Sequence, residues 1–178
     1  VIQDTIDNIE LNRNIKIDVD SLPINDKAAY ELLNKGNTIG VFQLESQGMQ
    51  SLCRRFGVEQ LEDIIALIAL YRPGPMQFID TYIKRKIGEE KVEYDTPEMG
   101  EIIKETYGIM IYQEQIMQVV QVVAGFSLAQ ADIMRRAIGK KKEDVLREQG
   151  KKFTEGCIEN GVSGEVAASI WDKILTFA

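Results

Sequence analysis

Five cations crowd into eight residues between Arg135 and Lys142. They belong to the run Asp132-Ile133-Met134-Arg135-Arg136-Ala137-Ile138-Gly139-Lys140-Lys141-Lys142, in a chain whose formal net charge is −7. From Arg135 to Lys152 there are eight Lys or Arg against three Asp or Glu. An acidic protein that gathers positive charge in one place has a negative partner as the first chemistry to consider. Arginine forks bind phosphate oxygens two at a time and lysines add point charges, so cations on both sides of a helix end and a glycine turn suit one polyphosphate. A blander cause competes, because the helix macrodipole favours cations in a last turn by about 0.3–1 kcal/mol with no ligand at all. Five like charges close together repel one another without an anion. That tips the balance slightly toward phosphate and leaves both readings open.

Other polar groups carry weaker signals. Asp18-Val19-Asp20 would place two carboxylates on one side of a strand, as two-metal phosphoryl transfer needs. It precedes the turn-like Ser21-Leu22-Pro23 and has no third carboxylate beside it, so the pair reads as surface acid. Gln43, Glu45 and Ser46 stand just before a helix, where capping and dipole effects account for Glu45 and Ser46. Gln113 begins a similar polar start after Tyr112. Arg72, ahead of Pro73-Gly74-Pro75, sits on a stiff backbone that suits positioning, although a cation at a helix end is the plain alternative.

Composition narrows the chemistry. The chain has no histidine, which excludes His-based catalysis and His metal ligation within it, and two distant cysteines, Cys53 and Cys157, make neither a disulfide framework nor a zinc site. They read as buried small apolar groups in a reducing, cytoplasmic compartment. No apolar run approaches the roughly 18 residues of a membrane span. The ends, Val1-Ile2-Gln3-Asp4 and Phe177-Ala178, read as cuts in something larger.

Helical periodicity supplies the elements that would position these residues. Asp26 caps a helix through Tyr30 and Leu33 that stops at Gly36. Leu61, Ile64, Ile65 and Ile68 form one apolar face of a helix ending near Tyr71. Thr96-Pro97 opens another segment, closed by Gly108. Ile116, Val119, Val120 and Val123 lie on a helix ended by Gly125. Ser127 to Gln130 fits a capping box for a helix carrying Leu128, Ala131 and Met134. A charged helix from about Lys142 to Asn160 buries Leu146, Phe153 and Cys157, and Ser163 starts a last one with Val166, Ile170, Trp171 and Ile174. Residues 38–44 and 108–112 could each be a short strand or lead into a helix, and 87–96 is the expected exposed loop. The fold class is mainly α, with at most short β elements.

Four stretches together resemble one family. They are Phe42-Gln43-Leu44-Glu45-Ser46-Gln47-Gly48-Met49; the Ile-Ala-Leu-Ile-Ala-Leu-Tyr-Arg-Pro-Gly-Pro of 65–75; the Tyr-Gly-Ile-Met-Ile-Tyr-Gln-Glu-Gln of 107–115; and Arg135 to Lys142. In order and spacing, from about residue 20 onward, they look like consecutive motifs of the bacterial replicative DNA polymerase III alpha subunit, a C-family polymerase. The resemblance implies a helical fingers-type domain, with 1–20 a lead-in following the palm and 21–178 the N-terminal portion of the fingers. It implies that Arg135, Arg136, Lys140 and Lys141 bind the nucleotide triphosphate, and that Arg72, Gln43, Ser46, Gln113 and Lys142 are pocket or DNA contacts. The three catalytic aspartates and their Mg²⁺ are implied to lie outside this chain, so the segment alone is expected to be inactive and to bind no metal. The implied partners of the parent enzyme are dNTP, primer-template DNA and, through other regions, the sliding clamp and clamp loader, in the bacterial cytoplasm and away from membranes. Two other classes stay open: a free-standing helical module binding nucleic acid or an acidic partner through the basic turn, and a purely structural helical domain.

Overall fold

The structure, a computed structural model, describes residues 1–140 and 142–176. Among the described residues the chain forms ten α-helices, three short 3₁₀ turns and no strand, so the mainly α expectation holds. Helix α1 (Ile2–Arg13) is polar on nearly every side and buries no residue. Among the described residues no helix is long and apolar enough to cross a membrane.

Two apolar cores organise the rest. The first is built by α2 (Lys27–Asn34), α3 (Gln47–Phe56), α4 (Leu61–Leu70), a 3₁₀ turn at Pro75–Phe78 and α5 (Ile79–Lys86). Asp26 caps α2 as expected, accepting from the amides of Ala28 at 2.8 Å and Ala29 at 3.3 Å. The face of α4 is a correction. Its buried residues are Asp63, Ala66, Leu67 and Leu70, whereas Leu61 and Ile65 are exposed and Ile64 and Ile68 half-buried. Apolar residues occur all round α4, so periodicity alone could not select the inner face. The carboxylate of Asp63 lies on that inner face, where Lys86 from α5 pairs with it at 3.0 Å.

The second core is built by α6 (Pro97–Ile103), α7 (Gln113–Ala124), α8 (Leu128–Gly139), α9 (Glu143–Glu159) and α10 (Gly164–Thr176). All four expected residues of α7 are buried, and Gly125 ends it in the left-handed region at φ 68. Phe153 and Cys157 of α9 are buried, as are Ile170 and Ile174 of α10. Of the apolar residues that α8 carries, Ala131 and Met134 are buried and Leu128 is exposed. Helix α9 lies so close to α7 that a Cβ on Gly156 would run into the backbone carbonyl of Ala124. Asn160 ties the same ends together, its Nδ2 donating to Val123 O at 3.1 Å.

Neither strand candidate pairs with a strand. Residues 38–44 form consecutive turns, with Val41 N donating to Thr38 O and Leu44 N to Val41 O, both at 3.0 Å. Gly108 takes the left-handed conformation at φ 79, and residues 109–111 then run between the cores, with Ile109 and Ile111 in the first core and Met110 in the second. The alternation is that of a strand, but side chains take the place of a neighbouring strand. Gln115 Oε1 accepts from Ile111 N at 2.9 Å and Tyr112 N at 3.1 Å, and Arg72 Nη2 donates to Ile111 O at 3.1 Å. Arg85 Nη1 donates to Tyr107 O at 3.1 Å.

Both cysteines are buried and unpaired. Burial pushes the Cys157 thiol up to about 11 and raises that of Cys53 as well. Neither thiol is expected to react with an Ellman-type disulfide reagent at pH 8 until the chain unfolds. Fast stoichiometric labelling of the folded protein would contradict that assignment.

Candidate functional site

Helix α8 begins with the expected capping box: Ser127 Oγ accepts from Gln130 N at 3.3 Å, and Gln130 Oε1 from Ser127 N at 2.8 Å. Its inner face, Ala131, Met134, Ala137 and Ile138, is buried against the second core. That orientation fixes which of its polar residues face outward. The three-residue link 125–127 joins α7 directly to α8, and the two helices pack against each other in the second core.

The two arginines are not a bare pair of like charges. Asp132, one turn earlier, accepts from Arg135 Nε at 3.1 Å and Nη2 at 2.7 Å through Oδ1, and from Arg136 Nη2 through Oδ2. These guanidinia, Arg136 first, hold the Asp132 carboxyl below its ordinary range. The expectation of mutual repulsion without an outside anion is therefore corrected for Arg135 and Arg136, since their counter-ion is built into the helix. Its signal was legible in the spacing, as Asp132 stands three and four residues before them.

Beyond the arginines the chain turns directly from α8 into α9. Gly139 is the last residue of α8, takes no left-handed conformation, and would leave an added Cβ in open space. The expected glycine turn is thus helical up to Lys140, where Lys140 N donates to Arg136 O and Lys142 N to Ala137 O, both at 3.1 Å. A hollow of about 220 Å³ lies at this junction, lined by Ile133, Arg136, Ala137, Lys140, Lys142 and Val145. Arg136 has a side chain 65% exposed there. Among the described residues Lys140 and Lys142 form no ion pair. The first turn of α9 forms one wall, and its Lys142 N-cap position contributes no side-chain hydrogen bond, so its leading amides are uncapped from that side. Three cations and a helix N-terminus around one small hollow can hold an anion the size of a phosphate group.

The other sequence candidates are dispersed. Arg135 does not line the hollow, and its guanidinium is paired with Asp132. Lys141 lies outside the described residues. Ser46 Oγ accepts from Met49 N at 3.3 Å and serves as the cap of α3. Arg72 braces the 107–112 segment through Ile111 O. Gln113, at the start of α7, is exposed. Gln43 is exposed at φ 63 within the 38–44 turns, next to Phe42, which is 84% exposed. That aromatic was not singled out in the sequence, where it looks like an ordinary apolar residue. Asp18 uses its carboxylate locally, accepting from Asp20 N at 3.2 Å. Among the described residues no three His, Cys, Asp or Glu come together to hold a metal.

Residues 1–161 match a family model described as the bacterial DNA polymerase III alpha subunit finger domain. The chain is 47% identical over 184 residues to a DNA polymerase III subunit alpha of Mycobacterium tuberculosis, an alignment covering 100% of this chain and 16% of the relative. The proteins of that name from Aquifex aeolicus and Bacillus subtilis are 45% and 46% identical, covering 96% of this chain and 15% of each relative. The chain therefore spans about one-sixth of the length of these curated relatives.

Proposed function

The chain belongs to the bacterial DNA polymerase III alpha subunit finger-domain family, and from that membership we propose that it is the part of a replicative DNA polymerase that grips the triphosphate of the incoming nucleotide. The observation that carries this reading is the hollow where Arg136, Lys140 and Lys142 face one volume. As a nucleotidyl group is transferred, negative charge accumulates on the β and γ phosphates that leave as pyrophosphate. Fixed cations already in place stabilise that charge without reorganising. Arg136 supplies a planar fork and the lysines supply point charges, while Lys141 assists from its place in the same run. Arg135 anchors the cluster through Asp132. Gln43 and Gln113, both exposed, are assigned to the nascent base pair or primer-template. Ser46 and Arg72 hold the backbone beside them.

Among the described residues no three acids come together to hold a metal, and the Asp18 carboxylate accepts from Asp20 N in a local turn. We assign the Mg²⁺-binding carboxylates to the remainder of the parent protein and expect this segment alone not to incorporate nucleotide. Sliding clamp and clamp loader would engage other regions, in the bacterial cytoplasm.

Arg136→Ala in the parent polymerase tests the assignment. Losing one charge-assisted contact should lower kcat/KM for incorporation at limiting nucleotide by about 10- to 100-fold, with an unchanged unfolding temperature. Kinetics equal to the unmodified enzyme in a stable variant would remove Arg136 from the triphosphate site.

A further inference from the structure

We infer that Asp132 is a positioning residue for the triphosphate grip, an internal anion that holds Arg136 aimed at the hollow before nucleotide arrives. The inference rests on the triphosphate reading above. Its basis is the unequal way in which one carboxylate holds two guanidinia. Arg135 is held through two nitrogens, at 3.1 and 2.7 Å, by Oδ1. Arg136 is held through Nη2 alone, by Oδ2. Arg135 has a side chain 37% exposed, against 65% for Arg136, which also lines the hollow.

A two-point fork on the less exposed arginine fixes the carboxylate, and the fixed carboxylate aims the second arginine. Without an internal anion, Arg136 would sample many rotamers and would have to be ordered by each arriving nucleotide. The same anion also competes with phosphate, so binding and turnover pull in opposite directions at this residue. Removing the charge while keeping the shape should separate them.

The test uses Asp132→Asn, Asp132→Glu and Arg136→Ala in the full-length polymerase. Readouts are single-nucleotide incorporation on a primer-template and inhibition by inorganic tripolyphosphate. For Asp132→Asn we expect tripolyphosphate to inhibit at about threefold lower concentration, because a competing charge is gone. We expect kcat to fall about tenfold, because Arg136 is no longer aimed. Asp132→Glu, which restores the charge, should return tripolyphosphate sensitivity to that of the unmodified enzyme and recover part of kcat. A merely structural aspartate would lower unfolding temperature and weaken tripolyphosphate and turnover together, and that outcome overturns the proposal. So does an Asp132→Asn enzyme indistinguishable from the unmodified one while Arg136→Ala is impaired. If Arg136→Ala itself changes neither nucleotide kinetics nor tripolyphosphate inhibition, the triphosphate reading fails first and takes this one with it.

Discussion

Replacing Lys86 with methionine should cost the fold about 3–5 kcal/mol, seen as a lower midpoint of urea or thermal unfolding. The ammonium of Lys86 is buried with Asp63, their side chains 8% and 2% exposed. Asp63 caps α4, accepting from Glu59 N at 2.9 Å and Gln60 N at 3.2 Å, and its charge is balanced by Lys86 at 3.0 Å. Lys86 also donates to the carbonyl of Gly57 and lies 5.4 Å from the centre of the Phe56 ring. Methionine keeps the stem and removes the charge, leaving a buried carboxylate with two amides and no cation. Pairing Lys86→Met with Asp63→Asn should recover much of the loss, because the orphaned charge is then gone too. A loss below about 1 kcal/mol in the single variant would reduce this pair to the rank of a surface ion pair.

The second large effect is expected at Gly156. A Cβ there would strike the carbonyl oxygen of Ala124 and lie 3.1 Å from its carbon and 3.4 Å from its Cα. These are backbone atoms, which cannot swing aside as a side-chain tip can. Either α9 moves away from α7 or it rotates, and Phe153 and Cys157, both fully buried, travel with it. Gly156→Ala should therefore destabilise by about 3 kcal/mol or more. Gly139→Ala is the matched control, since its Cβ meets nothing and alanine is favoured in helices by up to about 1 kcal/mol. Equal unfolding midpoints for the two alanine variants would show that α7 and α9 are not in such close contact.

The sequence conveyed helices best where one stripe is apolar and a cap is present. Helix α7, with Ile116, Val119, Val120 and Val123 inside and Gly125 at its end, is the clear case. It failed where burial is decided by a partner far along the chain. The inner face of α4 depends on Asp63 meeting Lys86 from another helix, which no local window contains. Helix α5 was not anticipated because only Ile79 and Tyr82 are buried among its charges. At the candidate site, the charge of the basic turn was legible but its division was not. Which arginine faces the hollow follows from how Ala131, Met134, Ala137 and Ile138 seat α8, and hence from the packing of α7 and α9.

The stretch from Ile109 to Ile111 serves opposite cores with consecutive residues, and this has a consequence for tolerated change in the gene. Gain or loss of a single codon there would exchange the clients of the two cores, sending Met110 to one and an isoleucine to the other. Compensation by a neighbouring substitution could not repair every side chain at once. The loop at 88–93, which supports no such division, should absorb length changes that this stretch rejects.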